Sequence, residues 1–278
     1  MANSKFGYVR LSELDDRLLP QTFAVIRLDG KGFTKFSSAH AFEKPNDQRA
    51  LSLMNEAAKR VVESDLGKGV RGRKGNGGGI FLAYGQSDEY SFAFSRGCDA
   101  YNRRASKLLT TVLSTFTAAY IYLWPQYFPE SPLELHNLPT FDGRIIQYVT
   151  DQQLRDYFKW RQVDAHINNL YNTTFWALVQ RGKQTHTEAH ASLKGTLSRD
   201  KHSILFDKFQ INYNGEPEIS KKGSILLWSR AKTVTDPPPV DSKTKAEDMV
   251  EESQVILVHE DLIKDQWWES GAGAGLLL

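Results

Sequence analysis

The sequence predicts an α+β fold: an antiparallel sheet with helices packed on one face, followed by a C-terminal α+β extension. Three runs rich in aliphatic and aromatic residues, at 23–26, 80–84 and 90–94, indicate strands. Between the first two runs, positions 46–62 have the three-and-four apolar spacing of an amphipathic helix. A strand, a helix and then a strand pair are typical of a mixed α+β sheet.

The first strand and the strand pair each carry acidic residues at one end. The first run leads to Asp29 and Gly30, and glycine permits the sharp turn that we expect there. Five residues, 85–89, connect the second and third runs and suit a hairpin loop with Asp88 and Glu89 at its tip. If these strands are neighbours, Asp29 and Asp88 lie together at one edge of the sheet.

Two carboxylates in this position predict a magnesium centre for phosphoryl chemistry. Mg²⁺ takes oxygen ligands and is usually held by one or two carboxylates together with substrate phosphates. In a two-metal site, one ion activates the attacking oxygen and the other stabilises the leaving oxygen. The carbonyl of Gly30 is a further candidate ligand because no side chain blocks its approach. The alternative is that both aspartates are ordinary turn residues, whose side chains bond to their own backbone.

The helices follow from apolar periodicity and from capping signals. Asn46-Asp47 is a candidate N-cap for the helix over 46–62. A long helix is predicted from about 101 to 123, ending near Pro125, and another from about 151 to 180. The core-facing positions of the first two helices are Leu51, Met54, Ala58, Val61 and Val62, then Leu108, Leu109, Val112, Phe116, Tyr120 and Leu123.

Basic residues are concentrated in the first turns of the helix over 101–123. Arg103, Arg104 and Lys107 oppose the helix macrodipole there. We therefore expect an anion among them, such as a triphosphate or an RNA 5′ phosphate. The alternative is a solvated charged face.

Polar side chains interrupt the apolar stripe of the helix over 151–180. The stripe consists of Ile167, Leu170, Thr174, Phe175 and Leu178. His166, Asn168, Asn169 and Asn172 lie among these residues, although asparagine is a mediocre helix former. The cluster indicates either a recognition surface or a buried hydrogen-bond network.

Three segments break the regular pattern. Positions 65–79 contain many glycines and basic residues and predict a flexible insertion; a solvated loop is favoured there over an RNA contact. Positions 233–253 are rich in Pro, Asp, Lys and Glu and predict a mobile linker. A strand at 225–228 precedes this linker, a short strand and helix within 255–268 follow it, and 271–278 is expected to be a disordered tail.

Length and composition set the class of protein. The chain has 278 residues with 40% hydrophobic content, which is enough for a sizeable core. Its single cysteine, Cys98, excludes an internal disulfide framework. No secretory apolar stretch opens the sequence and no run of about 18 apolar residues occurs, so we expect no membrane association. The net charge is only +2, so any nucleic acid must bind to local basic patches.

Five segments together resemble the eukaryotic tRNA-histidine guanylyltransferase family: RLDGKGF at 27–33, KPNDQRAL at 44–51, YGQSDEYSF at 84–92, RRASK at 103–107 and HINNLYNT at 166–173. The likeness runs in order from Met1 to about Trp228. It implies a palm fold like that of polymerases, in an enzyme that adds a nucleotide to the 5′ end of RNA. It also implies two Mg²⁺ ions, ATP and GTP as substrates, histidine tRNA as partner, and a homotetramer.

The resemblance assigns roles to individual positions of this sequence. Asp29 and Asp88 are the catalytic metal ligands, with the Gly30 carbonyl as a third ligand and Glu89 as a weaker ligand or supporting acid. The implied nucleotide contacts are Asp29, Gly30, Lys31, Gly32, Phe33, Thr34, Lys44, Asn46, Asp47, Ser87, Asp88, Arg104 and Lys107. The implied or plausible tRNA contacts are His166, Asn168, Asn169, Asn172, Lys194, Arg199 and Lys201.

The expected organisation is a catalytic palm domain at 1–135 that contains the insertion 65–79. A tRNA-binding guanylyltransferase region at 136–232, the linker 233–253 and a C-terminal segment at 254–278 follow it. No clear address signal is visible, so we expect a cytoplasmic or nuclear location and leave mitochondria open. A palm-fold repair polymerase or nucleotide cyclase is the enzymatic alternative. An RNA-binding module whose acids are merely structural is the non-enzymatic one.

Overall fold

A six-stranded antiparallel sheet is the centre of the molecule. The computed structural model describes residues 5–69, 78–230 and 253–277. The strands occur in the spatial order β4-β1-β3-β2-β5-β6, and every neighbouring pair is antiparallel. In chain order they are β1 Phe23–Gly30, β2 Ile80–Gln86, β3 Glu89–Phe94, β4 Phe141–Tyr148, β5 Ser224–Arg230 and β6 Ser253–Val258.

The helices complete an α+β fold, as the sequence predicted. The longer ones are α2 Gln48–Val62, α4 Ala105–Tyr127 and α5 Asp151–Gln180. The shorter ones are α1 Phe33–Ala39, α3 Asp65–Lys68, α6 His186–Leu193, α7 Ser198–Ser203, α8 Glu218–Lys222 and α9 Asp265–Glu269.

Helices cover both faces of the sheet, whereas the sequence predicted helices on one face. Buried residues of α2 and α4, such as Leu53 and Phe116, form the first core with one face. Leu154 and Phe158 of α5 and the tryptophans of α9 form a second core with the other face. The sheet strands are therefore buried on both sides, which explains their continuous apolar runs.

Helix α4 continues beyond Pro125, which was expected to end it. Pro125 lies inside the last turn, and the helix ends at Tyr127. The neighbouring Trp124 fixes this turn: its indole nitrogen donates to the Ser131 carbonyl at 2.6 Å, and its ring stacks on Phe128 at 4.3 Å. This packing outweighs the hydrogen bond that a proline removes from a helix.

Among the residues that the structure describes, α4 is also the one helix with the length and hydropathy of a membrane span, at a mean hydropathy of 1.2. Its buried residues Leu108, Val112 and Tyr120 belong to the first core. A helix with one face in the core of a folded domain has the same composition.

Helix α5 matches its predicted bounds and links the sheet to a helical extension. Thr150 and Gln153 form a capping box at its start. Its 30 residues span about 45 Å at the usual rise per residue. The first half packs on the sheet, whereas the second half packs against α6, α7 and the π-helical turn Ile204–Lys208. The extension thereby lies next to the sheet edge where β1 ends.

The segments without regular pattern have mixed outcomes. The ends of the 65–79 insertion are ordered, as helix α3 and as a bridge between Gly69 and Gly78, and its centre, 70–77, lies outside the described residues. The linker prediction also falls almost wholly outside them, at 231–252. The strand and helix expected after it are confirmed as β6 and α9.

The C-terminal residues 271–277 are ordered turns, whereas a disordered tail was expected. Gly273 donates its N–H to the Trp267 carbonyl at 3.1 Å. Leu276 and Leu277 pack against the second core.

Strands β4, β5 and β6 join the same sheet as β1, β2 and β3. The sheet itself therefore shows no division at position 135, and the predicted domain bounds stay a prediction.

Replacing Phe116 by Ala tests the first core. The Phe116 ring is fully buried and meets Phe141 edge-on at 5.0 Å between ring centroids. We expect the free energy of unfolding to fall by about 3–5 kcal/mol, the usual loss for a buried aromatic ring. Tyr122 on the same helix is 79% exposed, and Tyr122→Ala should change stability by no more than about 0.5 kcal/mol. Equal losses in urea unfolding would contradict the assigned core face of α4.

Candidate active site

The pairing of β1 with β3 brings the predicted acidic residues to one edge of the sheet. Asp29 is the register partner of Glu89, and the Gly30 N–H donates to the Asp88 carbonyl at 3.0 Å. The hairpin loop is shorter than predicted, because Gln86 already pairs with Glu89. Only Ser87 and Asp88 remain in the turn, and Glu89 belongs to strand β3. Asp29 and Asp88 line the same cavity.

Gly30 is required at this edge by close packing. A Cβ atom at this position would lie 2.4 Å from the Phe33 ring and 2.7 Å from Asp88 Oδ2. Both separations are far below ordinary contact distances, so a side chain there would push the Asp88 carboxylate out of place. The glycine therefore allows β1 to approach the β2–β3 turn, and it leaves the Gly30 carbonyl without a shielding side chain.

Asp29 and Asp88 together form an acidic cradle that no described residue neutralises. Burial raises the pKa of Asp88, and the nearby charge of Asp29 adds to this rise, although the Ser87 hydroxyl donates to Asp88 Oδ1 at 3.0 Å. Within the described ranges, neither Asp29 nor Asp88 takes part in an ion pair. Uncompensated, partly buried carboxylates fit a hard divalent cation.

Protein side chains alone do not complete a metal site here. In the described part of the chain no group of three or more His, Cys, Asp or Glu residues is arranged to hold a metal ion. A cation at this edge would take its other ligands from the Gly30 carbonyl, from water and from substrate phosphates, which is usual for Mg²⁺.

The contacts of Glu89 favour the second of its two predicted roles, that of a supporting acid, over that of a weaker metal ligand. Both Glu89 oxygens accept hydrogen bonds from Arg161 of α5, at 2.7 and 2.9 Å. Arg161 also donates to Asp164 at 2.9 Å, and Arg27 lies 4.0 Å from Glu89. Burial raises the pKa of Glu89, and the Arg161 guanidinium opposes that rise. Glu89 thus ties the acidic edge of the sheet to α5.

Two cavities meet at Asp88. The first, of about 360 Å³, is bounded by α1, by the start of α2 and by the C-terminal half of α5. We call it the aromatic cavity, because Phe33, Phe42, Tyr120, Tyr171, Phe175, Trp176 and His190 line it. The second, the polar cavity of about 280 Å³, contains Asp29, Glu89, Arg161, Asp164, Asn168, Asn169 and Ser220. Asn46, Ser87 and Asn172 line both cavities.

The turn between β1 and α1, which was predicted to contact a triphosphate, follows the acidic edge of the sheet. The Lys31 N–H donates to the Thr140 carbonyl at 2.8 Å, and the Lys31 side chain is exposed. Gly32 has a φ of 70°, a left-handed conformation that favours glycine. Phe33 is buried against Phe36 and Phe141, so it is chiefly a core residue. Thr34 lines the aromatic cavity.

Lys44, Asn46 and Asp47 lie on the wall of the aromatic cavity. Lys44 Nζ is 3.3 Å from the Ser37 hydroxyl and 5.9 Å from the centre of the Trp176 ring. Asp47 is the N-cap of α2, as predicted, and both its oxygens accept hydrogen bonds from Arg49. Burial alone would raise the pKa of Asp47, but these hydrogen bonds outweigh it and the pKa is lowered.

Within one chain, the start of α4 with Arg104 and Lys107 lies far from the acidic edge, and the predicted phosphate contacts of these two residues stay predictions. Arg103, next to Arg104, donates to the carbonyl of Thr22 at the opposite end of β1, roughly 20 Å from Asp29 along the strand. In the single chain, a carboxylate of the protein itself binds at the start of α4. Asp16 Oδ2 accepts the Ser106 N–H at 2.6 Å, which lowers the pKa of Asp16 to about 2.

Arg104 pairs with the acidic residues that precede β1. Its guanidinium lies 2.7 Å from Glu13 and 3.4 Å from Asp16. Lys107 is exposed, and its ammonium lies 5.9 Å from the Tyr101 ring.

The asparagines of α5 divide between a buried network and the polar cavity. Asn169 is 7% exposed, accepts from the Asn46 side chain at 2.9 Å and donates to the Tyr213 hydroxyl at 2.9 Å. Although Asn169 also lines the polar cavity, both ends of its amide are bound within this network, which fits the predicted buried hydrogen-bond network. Asn168 and Asn172 are exposed and face the cavities beside Asp88.

His166 is half-buried, and its ring lies 5.7 Å from that of Tyr213. Burial lowers the pKa of His166, and the neighbouring His202 adds to this effect.

The basic candidates of the helical extension differ in exposure. Lys194 and Arg199 are exposed, and their predicted tRNA contacts stay predictions. Lys201 is only 9% exposed, and its ammonium donates to the Thr196 carbonyl at 2.9 Å. The structure therefore assigns Lys201 to the interior of the extension rather than to an exposed RNA surface.

A family sequence model described as tRNAHis guanylyltransferase matches residues 6–149, and one described as the Thg1 C terminal domain matches residues 152–264. The chain belongs to the tRNAHis guanylyltransferase family. It is accordingly a nucleotidyltransferase.

Curated relatives support the same family over nearly the whole chain. The tRNA(His) guanylyltransferase of Neurospora crassa is 50% identical over 97% of this chain and 94% of its own length. That of Schizosaccharomyces pombe is 50% identical over 97% of both chains.

Solved structures agree with the fold. The crystal structure of the Saccharomyces cerevisiae tRNA(His) guanylyltransferase is 47% identical, with a TM-score of 0.72 over 80% of this chain and 93% of that one. A bacterial Thg1-like protein in complex with ATP has a TM-score of 0.67 over 94% of both chains at 20% identity. The palm-like α+β fold class is confirmed.

Sequence reasoning missed Arg161, Tyr171 and Trp176, all on α5. A signal was available for Arg161: it shares a three-and-four spacing with Asp164, Asn168 and Asn172, which together form a polar stripe that ends at the cavities. No comparable signal marks Tyr171 and Trp176, since aromatic residues in a half-apolar helix usually belong to the core.

Replacing Asp88 by Asn tests the uncompensated charge. The pKa of Asp88 in the folded protein is raised above its ordinary value of 3.8. The folded state therefore holds this proton more tightly than the unfolded state, and the metal-free protein loses stability as pH rises from 3.8 to the folded-state pKa. We expect Asp88→Asn to raise the melting temperature at pH 7 by about 2–4 °C and to remove stabilisation by added Mg²⁺. Asp207→Asn, at an exposed aspartate, is the control. A lower melting temperature for Asp88→Asn would contradict this electrostatic picture.

Replacing Arg161 by Met tests the buried ion pair. This change leaves Glu89 buried without its partner, so we expect a loss of about 3–5 kcal/mol in unfolding free energy. The double variant Arg161→Met with Glu89→Gln should recover much of that loss, because the side chain at position 89 is then neutral. Urea unfolding of the three proteins measures the effect, and an equally unstable double variant would count against it.

Proposed function

We propose that this enzyme adds one guanosine to the 5′ end of histidine tRNA. First, an oxygen of the tRNA 5′ monophosphate attacks the α-phosphorus of ATP, and the bond to pyrophosphate breaks. Next, the 3′ hydroxyl of GTP attacks the 5′ phosphorus of the adenylylated tRNA, and AMP leaves. Finally, hydrolysis removes pyrophosphate from the added nucleotide. The observation that carries this proposal is the convergence of Asp29 and Asp88 on one cavity in a chain of this family.

The residues present fit a pair of Mg²⁺ ions. Asp29, Asp88 and the Gly30 carbonyl would hold them. When bound, such ions lower the pKa of the attacking hydroxyl and neutralise charge on the leaving phosphate. No side chain in the described part of the site stands out as a general base, and this proposal needs none.

The chain's own residues would bind and orient the substrates. The backbone of the turn from Gly30 to Thr34 faces the triphosphate, together with Lys31 and Ser87. The nucleobase would occupy the aromatic cavity, where Lys44 and Asn46 offer polar contacts and the aromatic rings offer a stacking surface. Glu89 and Arg161 act as positioning residues, because they hold the hairpin that carries Asp88.

The tRNA would reach the site along α5 and the helical extension. Asn168 and Asn172 lie beside Asp88 at the mouth of the cavities. His166, Lys194 and Arg199 are not among the residues that line the two cavities, and we propose that they contact the tRNA. Histidine can stack on an unpaired base and hydrogen-bond it, which suits recognition of a loop.

We also propose a homotetramer. Large apolar side chains of the N-terminal segment are exposed in the single chain, including Tyr8 at 67%, Leu11 at 88% and Leu14 at 87%. Apolar residues this exposed and this close in sequence are typical of an interface. Light scattering after gel filtration measures the assembly directly.

The experiment that tests the function is product analysis with labelled ATP, labelled GTP and histidine tRNA. We expect release of AMP and a single added guanosine. A cyclic nucleotide, or repeated template-directed additions, would favour the palm-fold alternatives and overturn the proposal.

Asp29→Ala and Asp88→Ala should each reduce adenylylation and guanosine addition by about a thousandfold or more, since both steps use the same cradle. Their melting temperatures should stay near that of the original protein or above it. Asp207→Ala is the matched control at an exposed aspartate and should retain activity. Full activity in either cradle variant would remove the metal assignment.

A further inference from the structure

One wall of the aromatic cavity comes from the helical extension rather than from the sheet and its own helices. Tyr171, Phe175 and Trp176 lie on the C-terminal half of α5, and His190 lies on α6. They face the wall formed by α1 and the start of α2. A ligand in this cavity would therefore contact both parts of the chain.

Tyr171 is held in place from two sides. Its hydroxyl lies 2.7 Å from His190 Nδ1. The ammonium of the buried Lys201 lies 5.9 Å from the centre of its ring. Lys201 is itself anchored by its hydrogen bond to Thr196. The ring is thus a fixed platform that connects α5, α6 and α7.

His190 presents a polar edge beside these rings. Its ring lies 4.5 Å from the Phe175 ring and 6.2 Å from the Tyr171 ring. The Tyr171 hydroxyl forms a hydrogen bond with Nδ1 of His190, whereas Nε2 of His190 forms no hydrogen bond to any residue in the described ranges. The cavity therefore combines aromatic faces with a ring nitrogen whose orientation the tyrosine hydroxyl fixes.

This combination suits the recognition of a nucleobase. Stacking on aromatic side chains holds a base of any identity, whereas hydrogen bonds to its edge distinguish one base from another. The cavity volume of about 360 Å³ falls within the range of small-molecule sites. The cavity also adjoins Asp88, which lines it, so a base bound there would place its phosphates near the acidic cradle.

We infer that Tyr171 and His190 act as one specificity-determining unit for the base of a bound purine nucleotide. Tyr171 sets the rotation of the His190 ring, and Nε2 of His190 meets the polar edge of the base. This inference rests on the proposed function, because it assumes that the aromatic cavity holds the nucleobase. If the pair had only a structural role, it would merely fasten α6 to α5.

Nucleotide binding in the absence of tRNA separates these two roles. Dissociation constants for GTP, ATP and CTP with Mg²⁺ are measured calorimetrically for the original protein, Tyr171→Phe, His190→Ala and the double variant. We expect each single change to weaken the preference for GTP over CTP by about threefold to tenfold, the effect of losing one hydrogen bond. The double variant should lose no more than the larger single effect, because the two residues act as a unit.

The matched control is His186→Ala. His186 lies one turn earlier on α6 and packs on Trp176 at 5.5 Å, but it is not among the residues that line the cavity. It should leave the preference unchanged. An unchanged preference in both Tyr171→Phe and His190→Ala would overturn the inference, as would an equal loss in His186→Ala.

Guanosine addition to tRNA is measured separately with the same variants. We expect KM for GTP to rise while kcat changes little, since the pair contacts the base and not the reacting phosphorus. If the original protein binds nucleotides with the predicted preference but adds no guanosine, the proposed function fails and the assignment of the base site stands. If the variants lower kcat alone, the assignment of the base site fails.

Discussion

The antiparallel pairing of β1 with β3 is the constraint on which the candidate site depends. It sets Asp29 opposite Glu89 and brings the Gly30 N–H to the Asp88 carbonyl. This approach is sterically allowed because position 30 carries no side chain. The result is a pair of carboxylates that share one cavity and form no ion pair with any residue that the structure describes. Two unpaired carboxylates this close destabilise the protein by itself, and the same two carboxylates attract a divalent ion that also binds substrate phosphates.

A second interaction connects this edge to the rest of the molecule. Arg161 reaches from α5 to both oxygens of Glu89, the residue next to Asp88. Because α5 packs on the sheet with its first half and carries the extension on its second half, this ion pair fixes the position of the extension relative to the acidic edge. The aromatic cavity has walls from both regions, so its shape depends on their relative position. Stability and function are therefore coupled at α5.

Much of the local structure could be predicted from the sequence. The bounds of α5, the cap at Asp47 and the strands β1 to β3 follow from apolar periodicity, capping residues and turn residues, which are local signals. The errors also have physical causes. Pro125 lies within α4 because tertiary packing of Trp124 outweighs a lost hydrogen bond. At the start of α4, Arg104 pairs with Glu13 and Asp16, whose proximity no local pattern shows.

The sequence by itself determined the class of fold, the acidic strand ends and, through five matching segments, the family of this protein. Only the tertiary structure decided that Glu89 is bound by Arg161, that Asn169 is buried in a network with Asn46 and Tyr213, and that Lys201 faces inward. The physical reason is that the role of a polar side chain depends on the partner that reaches it. Arg161 lies 72 positions from Glu89, and Asn46 and Tyr213 lie 123 and 44 positions from Asn169. At such separations a sequence pattern carries no information about contact.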